Sequence, residues 1–200
     1  MKDLPRLLVI TDRHGAAHPL EAIADALCVP GGAPWLLFRD KDLPFMERRL
    51  LGTALREIAR SAGALFSVSA DLGLAFGLRA DGVHLQRLDH IPAARGKLGP
   101  GAAIGFSAHS VAEVSSAKDA GADYVTLSPT FPTASKPGYG PALGLEAIRE
   151  AAKAGIPVFA LGGVLPENAA SCREAGAYGV AVMGAVMRAE DPLAAVQAYF

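Results

Sequence analysis

Eight short apolar runs recur along this chain, at positions 7–10, 35–38, 65–68, 82–85, 103–106, 124–127, 158–161 and 179–182. Within them nearly every position is apolar, rather than every second one. That is the pattern of parallel strands covered on both faces. The stretches between them change period. In 45–61, Met46, Leu50, Leu51, Ala54, Leu55 and Ile58 form one stripe, opposed by Glu47, Arg48, Arg49 and Arg56. Positions 111–120, 145–154 and 166–175 repeat the helical spacing, and Pro166 suits a first turn, where its missing N–H costs nothing. Strand–helix alternation specifies a parallel sheet, and eight repeats favour closure into a (β/α)8 barrel over an open sheet.

An internal repeat agrees with this reading. Arg79-Ala80-Asp81-Gly82-Val83, Gly121-Ala122-Asp123-Tyr124-Val125 and Gly176-Ala177-Tyr178-Gly179-Val180 each place a helix end, a turn and a new strand in the same order. These units fall on the N-terminal face of the strands, away from where barrels carry their chemistry. No shift in composition marks a second domain, so residues 1–200 read as one barrel. The longest connection, 128–143, follows the sixth run and carries Pro, Gly, Thr and Ser; a loop of that length points to function.

Composition narrows the partners. Hydrophobic residues make up 51% of the chain, enough for one large core. Lys and Arg number 19 against 20 Asp and Glu, a net charge of −1. A balance of that kind supports neither nucleic acid nor an anionic membrane as partner, since both need a concentrated basic face. No segment reaches the ~18 continuous apolar residues of a membrane span, and the first apolar run is too short for a signal sequence. The expectation is a cytoplasmic protein with small-molecule partners. Its oligomeric state stays open, a homo-oligomer included. Cys28 and Cys172 fit no metal spacing and read as buried small apolar side chains rather than a disulfide.

If the strands are placed correctly, the residues just after each run line the active face. They include Asp12, Arg13, Arg39, Asp40, Lys41, Ser69, Asp71, Arg87, Asp89, Ser107, His109, Thr130, Thr133, Ser135 and Lys136. Cations, hydroxyls and two glycine turns in one ring suit a phosphorylated or pyrophosphorylated ligand. Gly162-Gly163 after the seventh run lets backbone N–H groups approach an anion, and Met183-Gly184-Ala185 after the eighth opens a helix whose dipole favours phosphate. Ser110 with Glu113 forms a capping box. His109 beside it has no structural explanation and is a candidate acid/base group. His84, inside a run, reads as a hydrogen-bonded core residue, and His14, His18 and His90 show no zinc spacing.

The order and spacing of several motifs resemble the thiamine phosphate synthase/TenI family. They are Thr11-Asp12-Arg13, Phe38-Arg39-Asp40-Lys41, Ala80-Asp81-Gly82-Val83-His84-Leu85, Ile104-Gly105-Phe106-Ser107-Ala108-His109, Pro129-Thr130-Phe131-Pro132-Thr133-Ala134-Ser135-Lys136 and Leu161-Gly162-Gly163-Val164. The resemblance implies a transferase of thiamine biosynthesis. Such an enzyme couples a hydroxymethylpyrimidine pyrophosphate to a thiazole phosphate with Mg2+. It further implies that Arg39, Lys41 and Lys136 hold the pyrophosphate with Ser107 nearby, and that Asp89 ligates the metal. Thr133, Ser135, Gly162, Gly163, Met183 and Gly184 would then surround the thiazole phosphate.

The chain departs from that pattern at four places. Leu37 stands where the family has Gln, and Ser69-Ala70 where it has Asn-Asp. Gln86-Arg87-Leu88-Asp89 stands for Gly-Gln-Glu-Asp, and Met183-Gly184 for a pair that carries Ser. Ala70 removes a carboxylate from a hard-cation site and so weakens magnesium, with Arg87 as a candidate fixed cation in partial replacement. Two other readings remain beside the synthase. One is a TenI-type thiazole tautomerase with His109 as proton shuttle; the other is a non-catalytic binder of thiazole or thiamine phosphate.

Overall fold

Each of the eight apolar runs is a strand, and each strand lies parallel to the next. The computed structural model describes residues 4–29, 35–133 and 141–200. The first half comprises β1 (Leu7–Ile10), α1 (Leu20–Leu27), β2 (Trp35–Phe38), α2 (Phe45–Ala62), β3 (Phe66–Ser69), α3 (Leu72–Gly77), β4 (Gly82–Leu85) and α4 (Ile91–Leu98). The second comprises β5 (Ala103–Ala108), α5 (Val111–Asp119), β6 (Tyr124–Leu127), α6 (Gly144–Ala152), β7 (Val158–Leu161), α7 (Pro166–Glu174) and β8 (Gly179–Val182), followed by α8 (Gly184–Met187) and α9 (Pro192–Gln197). β1 pairs with β2 through Leu8 and Trp35, and with β8 through Leu8 and Ala181, so the sheet closes.

The unbroken apolar runs follow from this closure. Leu7 and Val9 pack outward under the helices, while Leu8 and Ile10 point into the barrel. Inside, Trp35, Tyr124, Phe159 and Tyr178 fill the N-terminal half with ring centroids 4.5–6.0 Å apart. Gly105 makes this possible, since a Cβ there would fall within the Tyr124 ring. Leu37 joins the same interior cluster. Both cysteines are buried and free.

Two strands differ from the sequence expectation. β3 starts one residue later, at Phe66, and ends on Ser69. β5 continues to Ala108, because Ser107 and Ala108 pair with Thr126 and Leu127. Ser107 breaks the apolar run, yet its hydroxyl is satisfied inside the barrel, which hydropathy cannot register. The helices α1, α3, α4 and α9 have only six to eight residues, too few turns for a clear stripe.

The internal repeat is one hydrogen bond used three times. Asp81, Asp123 and Tyr178 donate their N–H to the carbonyls of Phe66, Ile104 and Val158. The two aspartates also accept from the N–H groups of Phe66 and Ile104, and pair with Arg56 and Arg95. All of this lies at the N-terminal ends of the strands. The capping box is shifted: Ser110 accepts from Glu113 N–H, but Glu113 reaches back to the N–H of His109 at 2.6 Å, one residue beyond Ser110.

Candidate active site

The ends of β1 and β2 are tied together by Asp40. Its carboxylate is buried and accepts from the Thr11 hydroxyl at 2.6 Å and the Arg13 N–H at 2.8 Å. Thr11 Oγ1 in turn accepts from Arg39 N–H at 2.9 Å. Asp40 therefore orders the turn and is unavailable to a ligand. Its two cationic neighbours line different hollows.

One hollow, about 350 Å3, receives Arg39 from the end of β2, Ser128 and Thr133 from the loop after β6, Gly162 and Gly163 after β7, and Met183 and Gly184 after β8. Gly162 and Gly163 have φ of 88° and 66°, which a side chain rarely adopts. A Cβ at Gly163 would also lie 2.7 Å from that of Phe131. The double glycine thus presses the β7 turn against the loop after β6, and leaves the backbone bare toward the cavity. Arg188, which the sequence reading passed over, lines the same wall. Its signal was its position four residues after Gly184, one helical turn on. α8 itself is a single turn, so few peptide dipoles align there and the helix contributes little field.

The second hollow lies at the ends of β2 and β3, lined by Lys41, Arg48, Ser69, Ala70, Asp71 and His90. Ala70 has φ of 60°, a left-handed conformation for which Asp and Asn are favoured and Ala is not. Arg48 enters from α2 and is largely buried. It donates to Asp71 at 3.0 Å and to the Ser69 carbonyl at 3.1 Å, beneath the lip of the hollow.

The donors near this hollow do not fit a protein-held magnesium ion. Asp89 accepts from Arg87 Nε at 3.1 Å and Nη2 at 2.6 Å, which holds its carboxyl below the usual range. Arg87 thus forms an exposed ion pair with Asp89, and it lines neither hollow. Asp71 is engaged by Arg48 and by the first turn of α3, and Ala70 offers no oxygen. Among the described residues no three His, Cys, Asp or Glu side chains come together as a metal site.

Of the residues expected to have a catalytic, phosphate-binding or metal role, three line neither hollow. Asp89 is one. Ser107 faces His84 inside the barrel, with its Oγ 3.0 Å from Nε2. His109 places Nδ1 3.0 Å from the Ser128 carbonyl. A carbonyl can only accept, so Nδ1 carries the proton and the ring ties β5 to the loop after β6. Ser135 and Lys136 fall outside the described residues. Among the described helices none is long and apolar enough to cross a membrane.

A profile of the thiamine monophosphate synthase family matches residues 7–186. The thiamine-phosphate synthase of Moorella thermoacetica is 43% identical over 195 residues, covering 95% of this chain and 91% of that one. The thiamine-phosphate synthase of Roseiflexus sp. (strain RS-1) is 42% identical over 193 residues, covering 95% and 81%. Among solved structures, thiamine phosphate pyrophosphorylase from Pyrococcus furiosus superposes with a TM-score of 0.84 at 36% identity, covering 97% of this chain and 93% of that one. With the barrel closed and its glycine-walled cavity at the strand ends, this chain belongs to the thiamine monophosphate synthase family.

Proposed function

We propose that this protein joins a hydroxymethylpyrimidine pyrophosphate to a thiazole phosphate, giving thiamine phosphate and inorganic pyrophosphate. The chain is a thiamine-phosphate-synthase-like transferase acting on small phosphorylated molecules. The observation that carries the reading at the site is the cavity that unites Arg39 with Thr133, Gly162 and Gly163.

In this chemistry the methylene–oxygen bond of the pyrimidine substrate breaks and its electron pair leaves with pyrophosphate. The thiazole nitrogen then supplies its lone pair to the resulting carbocation, forming the new carbon–nitrogen bond. No proton need be removed, so no general base is required. The protein's task is to neutralise the leaving group and to hold the two partners in line. Arg39, Lys41 and Lys136 are assigned to the pyrophosphate. Thr133, Ser135, Gly162, Gly163, Met183 and Gly184 are assigned to the thiazole phosphate. Ser107, near the C-terminal end of β5, is assigned to the neighbourhood of the pyrophosphate. Magnesium, when it accompanies the pyrophosphate, adds charge neutralisation through substrate oxygens and water, with Asp89 able to approach it only after parting from Arg87.

The tautomerase reading is not favoured. It needs a proton shuttle in the cavity, and His109 does not line it. The binder reading loses ground to the synthase relatives in the same way. The test is an assay of the purified protein with both substrates and magnesium, following thiamine phosphate and pyrophosphate together. Equimolar products are expected, and Arg39→Ala should slow their formation about 100-fold or more. No thiamine phosphate above background overturns the proposal.

A further inference from the structure

Arg188 has no part in the roles assigned above, yet it lines the rim of the cavity that holds Gly162, Gly163, Met183 and Gly184. It closes α8, its backbone N–H bonded to the Gly184 carbonyl. Its guanidinium folds back over Gly184. A Cβ at position 184 would lie 2.8 Å from both Cζ and Nη2 of Arg188, closer than side-chain carbons approach. With no side chain at residue 184, the guanidinium rests against the backbone there and remains exposed at the cavity rim.

The chemistry of the wall points to an anion. Among the described residues no carboxylate lines this cavity, whereas Arg39 and Arg188 both do. Arg48, Arg87, Arg95 and Arg149, by contrast, each pair with an Asp or Glu. Among the described residues the Arg188 guanidinium has no hydrogen-bond or ion-pair partner. A planar fork beside bare backbone at Gly162 and Gly163 matches the oxygens of a phosphate monoester.

We infer that Arg188 is a phosphate-holding residue of the thiazole phosphate subsite. This rests on the reading of the cavity proposed above. Arg39, assigned to the pyrophosphate, lines the same cavity as Arg188 while Lys41 lines the other hollow, so the effect of Arg188 is read from thiazole phosphate binding alone.

The experiment is calorimetric titration of the protein with thiazole phosphate, without the second substrate, alongside the phosphate-free thiazole alcohol. Arg188→Ala and the similarly shaped Arg188→Gln should each weaken thiazole phosphate binding about 10- to 100-fold and leave the alcohol unchanged. Unchanged phosphate affinity in the Gln variant, or equal weakening of phosphate and alcohol, overturns the inference. Because these titrations need no turnover, they report on Arg188 even if the coupling assay yields no product.

Discussion

His84 Nε2 lies 3.0 Å from Ser107 Oγ and 3.2 Å from Thr126 Oγ1, while Nδ1 meets the Tyr124 hydroxyl at 3.1 Å. The ring thus links the aromatic filling of the barrel to the layer of hydroxyls above it. Burial pushes the His84 pKa down to about 3, and the nearby charge of Lys41 acts in the same direction. The imidazole that orients Ser107 is therefore neutral at neutral pH.

A pH dependence follows. The unfolded chain takes up a proton on His84 near pH 6.5, which the native barrel refuses until about pH 3. Between those values the unfolded state binds more protons, so native stability falls as pH drops, by at most about 1.4 kcal/mol per unit for this group. Above pH 6.5 the contribution is constant. Denaturant unfolding from pH 4 to 7 should show a shallower slope for His84→Gln than for the wild type, with the variant less stable at pH 7. Parallel slopes would remove His84 as the source.

Ala70 occupies a left-handed position at the lip of the second hollow, where the family pattern has Asp. Asp tolerates that conformation better than Ala, and its carboxylate would face a hollow already lined by Lys41. Ala70→Asp should therefore fold at least as stably and lower the magnesium concentration that half-saturates activity, about tenfold or more. The check is a magnesium titration of both proteins with thermal unfolding alongside. An unshifted midpoint would mean that the lost carboxylate is not what distinguishes this site.

Asp71 does two jobs with its two oxygens. Oδ1 accepts from Leu74 N–H at 2.8 Å and caps α3, and Oδ2 accepts from the buried Arg48 at 3.0 Å. Asp71→Asn keeps the cap and loses the charge, at a cost of about 1–2 kcal/mol. Asp71→Ala loses both and should cost about 2–4 kcal/mol. Urea unfolding of the pair separates the contributions. An Ala variant within about 0.5 kcal/mol of wild type, the range of ordinary surface changes, would contradict the assignment.

Much of the site was legible because barrel chemistry follows strand ends, and strand ends follow the apolar runs. Arg39, Thr133, Gly162, Gly163, Met183 and Gly184 all line one cavity, which puts Arg39 beside the residues expected at the thiazole phosphate rather than beside Lys41. Asp40 shows where that reasoning stops. Beside Arg39 and Lys41 it looks like one more charged ligand, and only its contacts with Thr11 and Arg13, 29 and 27 residues away, show that it orders the turn. Asp89 and Arg87 stand two residues apart and satisfy each other, which spacing alone does not reveal. Arg188, exposed at the rim of that cavity, is a solvated cation by sequence, and only the fold places its guanidinium beside Gly184.

The amino-acid sequence by itself determined the eight strands, their parallel order and the glycine turns. Each of these rests on local periodicity or on backbone freedom at one residue, and neither needs a distant partner. The tertiary structure alone decided which charges face the cavities and which are consumed by one another. Side-chain pairing across strands depends on register and depth, as in Asp40 with Thr11, Arg48 with Asp71, and His84 with Ser107. Those contacts exist only once the barrel has closed.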